Sequence, residues 1–290
     1  MTSFLRRLGL AVLACATFAA APARAQPPVW IVHGPHVTVV LFGSVHLLAP
    51  GIDWEPPALK DALAKADELW FEIPIDPASA LGAQQYAIKR GLLPDGQTLS
   101  AELTPADRDR LANAAKMCGL PVSLLDRLRP WYADLALSVA STKQAHADSA
   151  AGVEQTLSAA NPAIPRQAFE TVVEQIGFLA DVPEKDQIDS LRETMGEVKT
   201  GPALYQRMVD AWLAGDVRAI RKEVLEPMIK EAPGEYRALV VDRNRRWIGR
   251  IEQRLAGQGE AVMVVGAGHL VGPDSVPALL RRDGFRVDGP

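Results

Sequence analysis

Two histidines carry the clearest chemical signal in this chain. His46 closes Gly43-Ser44-Val45-His46, and His269 closes Gly266-Ala267-Gly268-His269, the same Gly-x-x-His pattern near opposite ends of the sequence. Each motif follows an apolar run, residues 37–42 and 261–265. A short β-branched run stopped by glycine reads as a buried strand ending in a tight turn. Ligands of open α/β sheets sit beyond the carboxyl ends of the strands. Two histidines placed alike on two such strands can therefore meet at one site. Neutral imidazole is a metal ligand and a general base near neutral pH. Taken singly, a histidine after a strand is more often an ordinary loop or core residue; the repetition favours a site.

Three further residues could serve it. Glu72 interrupts the apolar residues 69–73, and a buried carboxylate needs a cation, hydrogen bonds or a metal. Strand alternation puts Glu68, Trp70 and Glu72 on one face. A salt bridge at a strand end is the plainer reading. Glu170 makes a similar case, although an acid there also suits the start of the next helix. In residues 235–255 the apolar stripe Tyr236, Leu239, Val240, Trp247, Ile251 and Leu255 continues through Arg243, with Asn244 beside it. An arginine on a core-facing stripe wants a carboxylate or an oxyanion, unless it snorkels to solvent. His33, His36 and His146 read as surface residues. The chain has no His-Glu-x-x-His motif, phosphate loop or Gly-x-Ser-x-Gly elbow. Ser44 lacks a nucleophile's strand–turn–helix setting.

The elements that must position these groups follow from the pattern. Residues 29–32 and 37–42 form a hairpin, 55–66 a helix and 68–73 a strand. Strand, helix and strand in that order read as a right-handed βαβ unit. Residues 78–256 are mainly helical. Helices open at Pro105, Pro130 and Thr171, and Gly196, Gly201-Pro202, Gly215 and Pro233-Gly234 break the stretch from 184 onward. Residues 168–170 are a short extended piece. A strand returns at 261–265, followed by a helix at 275–282 and a strand at 285–287. The expected fold class is α/β, with a mixed central sheet built from both ends of the chain and a large helical insertion.

Arg6-Arg7, the apolar residues 8–21 and Ala23-Arg24-Ala25 have the form of a secretory leader cut after Ala25. The remaining domain is 26–290, and its expected location is the periplasm or outside the cell. The full chain has a net charge of −4. Without residues 1–25 it carries 28 basic and 35 acidic residues, or −7, with no basic block. Nucleic acid is therefore not an expected partner. Cys118 is the one cysteine outside the leader, so the expected monomer has no internal disulfide and no Cys₂ or Cys₄ metal site. No second apolar run approaches membrane-spanning length.

The sequence 42–48, Phe71-Glu72-Ile73, Arg129-Pro130-Trp131, Phe169-Glu170-Thr171 with Gln175, Arg243-Asn244 and the sequence 265–272 stand in an order that resembles the TraB/GumN family. The ending, Leu279-Leu280 with Gly284-Phe285-Arg286-Val287, resembles it too. Phe169-Glu170-Thr171 stands where that family often shows Leu-Glu-Thr. The family is related to the TIKI metalloproteases, which act on Wnt ligands, and more distantly to haem-binding ChaN proteins and erythromycin esterases. The resemblance implies an α/β core with paired halves and a metal-dependent hydrolase, first a peptidase acting on a peptide or protein. His46, His269 and Glu72 would be the ligands of a divalent ion (zinc, manganese or cobalt). Glu170 is then the candidate general base, Arg243 the group orienting a carboxylate or oxyanion, and Asn244 its neighbour; the roles of Glu72 and Glu170 are interchangeable in this reading. Two alternatives stay open. One is a non-catalytic binder of a peptide, haem or small ligand, and the other a metal-free esterase-like enzyme with His46 as base.

Overall fold

The computed structural model describes residues 26–290; the leader read over 1–25 lies outside the described residues. Alternating Val29–His33 (β1) and apolar Val37–Ser44 (β2) pair as an antiparallel hairpin. Glu68–Phe71 is β3, Arg166–Ala168 β4, Gly259–Gly266 β5 and Arg286–Asp288 β6. The sheet order is β4-β3-β5-β2-β1-β6. β4, β3, β5 and β2 run parallel, and β1 is antiparallel to both of its neighbours. This is the mixed sheet built from both ends of the chain. Residues 261–265 of β5 are at most 1% exposed, as a parallel strand covered on both faces should be.

The structure changes one detail of the expected βαβ unit. β2, the Pro57–Leu63 helix and β3 follow in sequence, yet β2 and β3 do not pair. β5 lies between them and pairs with both. The register sets Gly43 opposite Val265 and Ser44 opposite Gly266. The two Gly-x-x-His motifs therefore leave adjacent parallel strands side by side.

The helical middle has a buried cluster of its own, centred on Leu99, Leu111, Leu125, Leu137 and Leu191. Thr104 caps its helix as expected, whereas the helix after Glu170 is capped by Thr171, in a capping box with Glu174, and not by Glu170. Gly196 does not break its helix, which runs Glu184–Glu197. The expected single helix over 235–255 holds a π-helical segment, Arg237–Val241, before Asp242–Leu255. Such segments often stand at functional sites. Beyond this one, Arg243, Asn244, Trp247 and Ile251 all face inward.

One acidic cluster of the helical part sets a pH dependence. Burial, with Glu197, Glu235 and Asp134 nearby, pushes Glu193 up to about 7. Burial and Asp134 push Glu235 up to about 7 against a hydrogen bond from Ser190. The folded state thus binds more protons than the unfolded chain between about pH 4.5 and 7. Stability falls as pH rises through that window, with the penalty absent below it and complete above it. Glu193→Gln and Glu235→Gln are each expected to stabilise the protein by about 1–2 kcal/mol at pH 8, after allowance for solvent screening. Neither should change stability at pH 4.5, as urea unfolding at both pH values will test.

Candidate active site

The two motifs meet where β2 and β5 end. Gly43 brings them close, since a Cβ there would stand 3.1 Å from the Ala267 Cα and 3.2 Å from its Cβ. The Trp212 indole donates to the Gly43 carbonyl at 2.7 Å and braces β2 from below. Gly266 makes the central space. A Cβ there would lie 3.2 Å from Glu72 Oε1, 3.6 Å from His269 Cδ2 and 3.7 Å from His46 Nε2. The side chains read from sequence as the site's centre thus surround a hollow that only glycine leaves open.

Each imidazole is held from outside. Asn244 Nδ2 donates to the Asp274 carbonyl at 2.8 Å, which leaves Asn244 Oδ1 as the acceptor for His269 Nδ1–H at 2.7 Å. That fixes the tautomer, and the His269 Nε2 lone pair faces inward. Burial holds the ring well below its ordinary pKa, at about 3, so it is neutral. His46 Nδ1 donates to Glu154 Oε1 at 2.7 Å, leaving Nε2 for the hollow. The Glu154 carboxylate raises His46 to about 9; the side chain is 59% exposed, and water opposes that pull. Burial would raise Glu154, but His46 and a 2.5 Å hydrogen bond from Ser44 Oγ hold it low.

Glu72 lies one residue past β3. Backbone hydrogen bonds from Phe169 to Phe71 and from Glu170 to Glu72 extend the β3–β4 ladder by two steps and bring Glu170 alongside. Between these carboxylates lies Arg243, 5% exposed. Its Nη2 donates to Glu72 Oε2 at 2.5 Å and to Glu170 Oε2 at 2.8 Å. Nε donates to Glu170 at 3.0 Å, and Nη1 to the Leu239 carbonyl and His269 Nε2, each at 3.2 Å. The guanidinium also lies over the Trp247 ring, 4.9 Å from its centroid. Burial would raise Glu72, but Arg243, His269, His46 and the Gly266 amide hold it far below the usual carboxylate range. Burial keeps Glu170 raised despite Arg243.

All six residues singled out from sequence lie in this constellation, but two are arranged differently from their expected roles. Glu170 accepts from Arg243 and, at 2.8 Å, from Trp247 Nε1, so no oxygen is turned to the hollow as a base would require. Arg243 orients the protein's own carboxylates, and its nitrogens face no open space. Sequence reasoning missed Glu154, which reaches His46 across 108 positions from the second residue of the Val153–Ala160 helix. Nothing around it in sequence marks it. Ser44 serves Glu154, and Gln175 donates to Glu72 Oε2 at 3.1 Å. Arg129-Pro130-Trp131 belongs to the helical part, where the Trp131 amide donates to Gln187. His33 pairs with Asp288 at the sheet edge.

The open side is a crevice of about 250 Å³, lined by His46, Glu72, Ile73, Ile75, Glu154 and Gln175 among others. Its position depends on Gly152, where a Cβ would lie 2.0 Å from the His46 carbonyl oxygen. The oxygen belongs to the main chain and the backbone fixes the position of a Cβ, so neither can rotate away. Gly152→Ala is expected to displace the His46 segment or the Glu154 helix and to cost about 2 kcal/mol or more. Loss of the His46–Glu154 hydrogen bond in NMR spectra would report the displacement.

In kind, the donors around Gly266 suit a borderline divalent ion: two imidazoles and a carboxylate, each imidazole tied through its other nitrogen as metal-ligating histidines are. As placed, Glu72 and His269 are both held by Arg243. Among the described residues no three His, Cys, Asp or Glu side chains are gathered closely enough to hold an ion.

The model of the TraB/PrgY/gumN family matches residues 28–289. The uncharacterized protein YbaP of Escherichia coli (strain K12) is 25% identical over 246 residues, 83% of this chain and 87% of YbaP. YbaP of Shigella flexneri matches to the same extent. An uncharacterized protein of Treponema pallidum (strain Nichols) is 22% identical over 268 residues, 87% of this chain and 80% of that protein. No solved structure matches the chain.

Proposed function

This chain belongs to the TraB/PrgY/gumN family, and from that premise we propose that it is a metal-dependent hydrolase of acyl bonds, first of all a peptidase. The observation that carries the reading is the convergence of both Gly-x-x-His imidazoles on the hollow over Gly266, each with its Nδ1–H held from behind. His46, His269 and Glu72 would hold a zinc, manganese or cobalt ion. When bound, that ion supplies polarisation of the substrate carbonyl and a water acidic enough to attack it. Glu72 and His269 must first be freed from Arg243, and His46 must release its proton. The other residues set geometry. Asn244 fixes the His269 tautomer, Glu154 orients His46, and Glu170 anchors Arg243 against Trp247. The small crevice and its apolar wall at Ile73 and Ile75 suit one side chain of an extended peptide.

A specific observation favours a second reading. The His46–Glu154 pair has the form of a base and its orienting carboxylate, with Nε2 free to take or give a proton. Arg243 already supplies a buried positive charge. A metal-free hydrolase could act through these groups. Metal analysis of the purified protein, followed by cleavage of a peptide library with and without chelator, separates the readings. Cleavage that stops on chelation and returns with one added ion supports the first, and turnover that survives full chelation the second. Ligand capture with no turnover in either condition indicates a non-catalytic binder.

The location is part of the proposal. Removal of residues 1–25 as a leader would deliver the enzyme to the periplasm or the exterior. Mass spectrometry of the protein from secreting cells should give Gln26 as the first residue. Among the described residues no helix is long and apolar enough to cross a membrane.

A further inference from the structure

The Val172–Ala180 helix is apolar at six of its nine positions, yet none of its residues is buried. The neighbouring Pro77–Gly91 helix buries only Gly91. Leu81 is 56% exposed and Val173 52%. An apolar helix normally turns one face to a partner, and exposed apolar surface of this kind commonly marks a binding site. Part of these faces, Val172, Val173 and Phe178 with Tyr86 of the neighbouring helix, lines a trough. One part, about 560 Å³, runs from Pro74 past Ser79 to Tyr86 and Val173. The next, about 570 Å³, shares Tyr86 and Val173 and continues to Phe178 and Asp186.

Two features identify the occupant. The trough and the crevice flank the same two segments: Pro74 lines the trough between Ile73 and Ile75 of the crevice wall, and Thr171, Val172 and Val173 line it ahead of Gln175 in the crevice. Its far part carries the carboxylates Glu174, Asp181, Asp186 and Asp242 against one cation, Arg246. Arg246 itself leans toward Glu170 at 3.8 Å, Asp181 is paired with Arg90, and Asp242 lies 3.9 Å from both Arg237 and Arg245, whereas Asp186 makes no ion pair among the described residues. Lys89 lies in the near part. The trough is thus apolar beside the site and acidic at its far end.

We propose that this trough binds the extended segment of a peptide substrate beyond the cleaved bond, with apolar side chains over Val173 and Tyr86 and a basic residue at the Asp186–Asp242 end. The assignment of the occupant as substrate rests on the hydrolase reading above. The segment covers the two exposed helices, and its charge selects chains that are apolar and then basic.

The test uses His46→Ala protein, so that peptides stay intact, and fluorescence anisotropy. The probes are a labelled decapeptide with leucine and valine followed by two arginines, and its counterpart with glutamates for the arginines. The basic peptide should bind about tenfold or more tightly than the acidic one. Val173→Asp, at an exposed position, should weaken it by a similar factor, and Asp186→Asn with Asp242→Asn should remove the preference. Equal binding of both peptides, or binding indifferent to Val173→Asp, would overturn the proposal. So would a dimer in sedimentation that Val173→Asp dissociates, because a second copy would then fill the trough. Wild-type protein separates the two readings: selective binding without cleavage leaves the trough as a peptide site and removes its substrate role, whereas cleavage blind to the arginines leaves hydrolysis and removes the trough.

Discussion

Arg243→Met is expected to destabilise the protein by about 3–5 kcal/mol, a large fraction of the roughly 5–15 kcal/mol that holds a typical domain. The arginine bridges Glu72 and Glu170, which are 7% and 6% exposed. Methionine fills similar space but leaves two buried carboxylates facing each other without a cation. The cost is that of stranded charge, not of one lost contact. It follows that acid should rescue the variant. With Arg243 gone, both carboxylates take up protons more readily when folded than when unfolded, so the deficit shrinks as pH falls toward 5. Arg243→Lys keeps the charge but cannot donate to both carboxylates, His269 and Leu239 while lying flat on Trp247. It should recover less than half of the loss. Urea unfolding followed by tryptophan fluorescence at pH 5 and 7.5 measures all three, and a methionine variant as stable as wild type would refute the clamp.

His46→Ala should do the reverse. The ring is largely exposed and its one hydrogen bond is to Glu154, so unfolding free energy should change by about 1 kcal/mol or less. Hydrolytic turnover should fall about 10²–10⁴-fold, whether His46 holds an ion or moves a proton. Glu154→Gln keeps an acceptor for Nδ1–H but removes the charge, and an outer partner of this kind is worth about 10–100-fold. Turnover undiminished in His46→Ala would remove the first motif from the chemistry. The pair Arg243 and His46 divides the site into a part that holds the fold and a part that faces substrate.

Much of this was legible in the sequence because burial leaves a pattern. Valine-rich runs ending in glycine marked β2 and β5, and proline and threonine marked the helix starts. Arg243 stood out because it interrupts an apolar stripe. Other features left no local trace. That β5 separates β2 from β3 is decided by pairing between residues nearly 200 positions apart, for example Trp70 with Met263. The π-helical segment before Asp242 has the composition of ordinary helix. Glu154 sits in an alanine-rich stretch with no motif around it, and its meaning comes only from the backbone that carries it to His46. Glu170 was visible as a significant acid, but its role depends on Trp247 and Arg243 arriving from elsewhere.

The insertion of β5 has a consequence for how the molecule is made. Long-range pairing of this kind slows folding, because loop closure must precede the contacts that reward it. A nascent chain reaches residue 258 with β2 and β3 complete and the space between them unfilled. Two apolar strand edges then wait for β5 to be synthesised, the condition in which unfinished chains aggregate or recruit chaperones. His269 arrives with that same strand. Assembly of the sheet and assembly of the site are therefore one late event, and a chain cut short before it has neither.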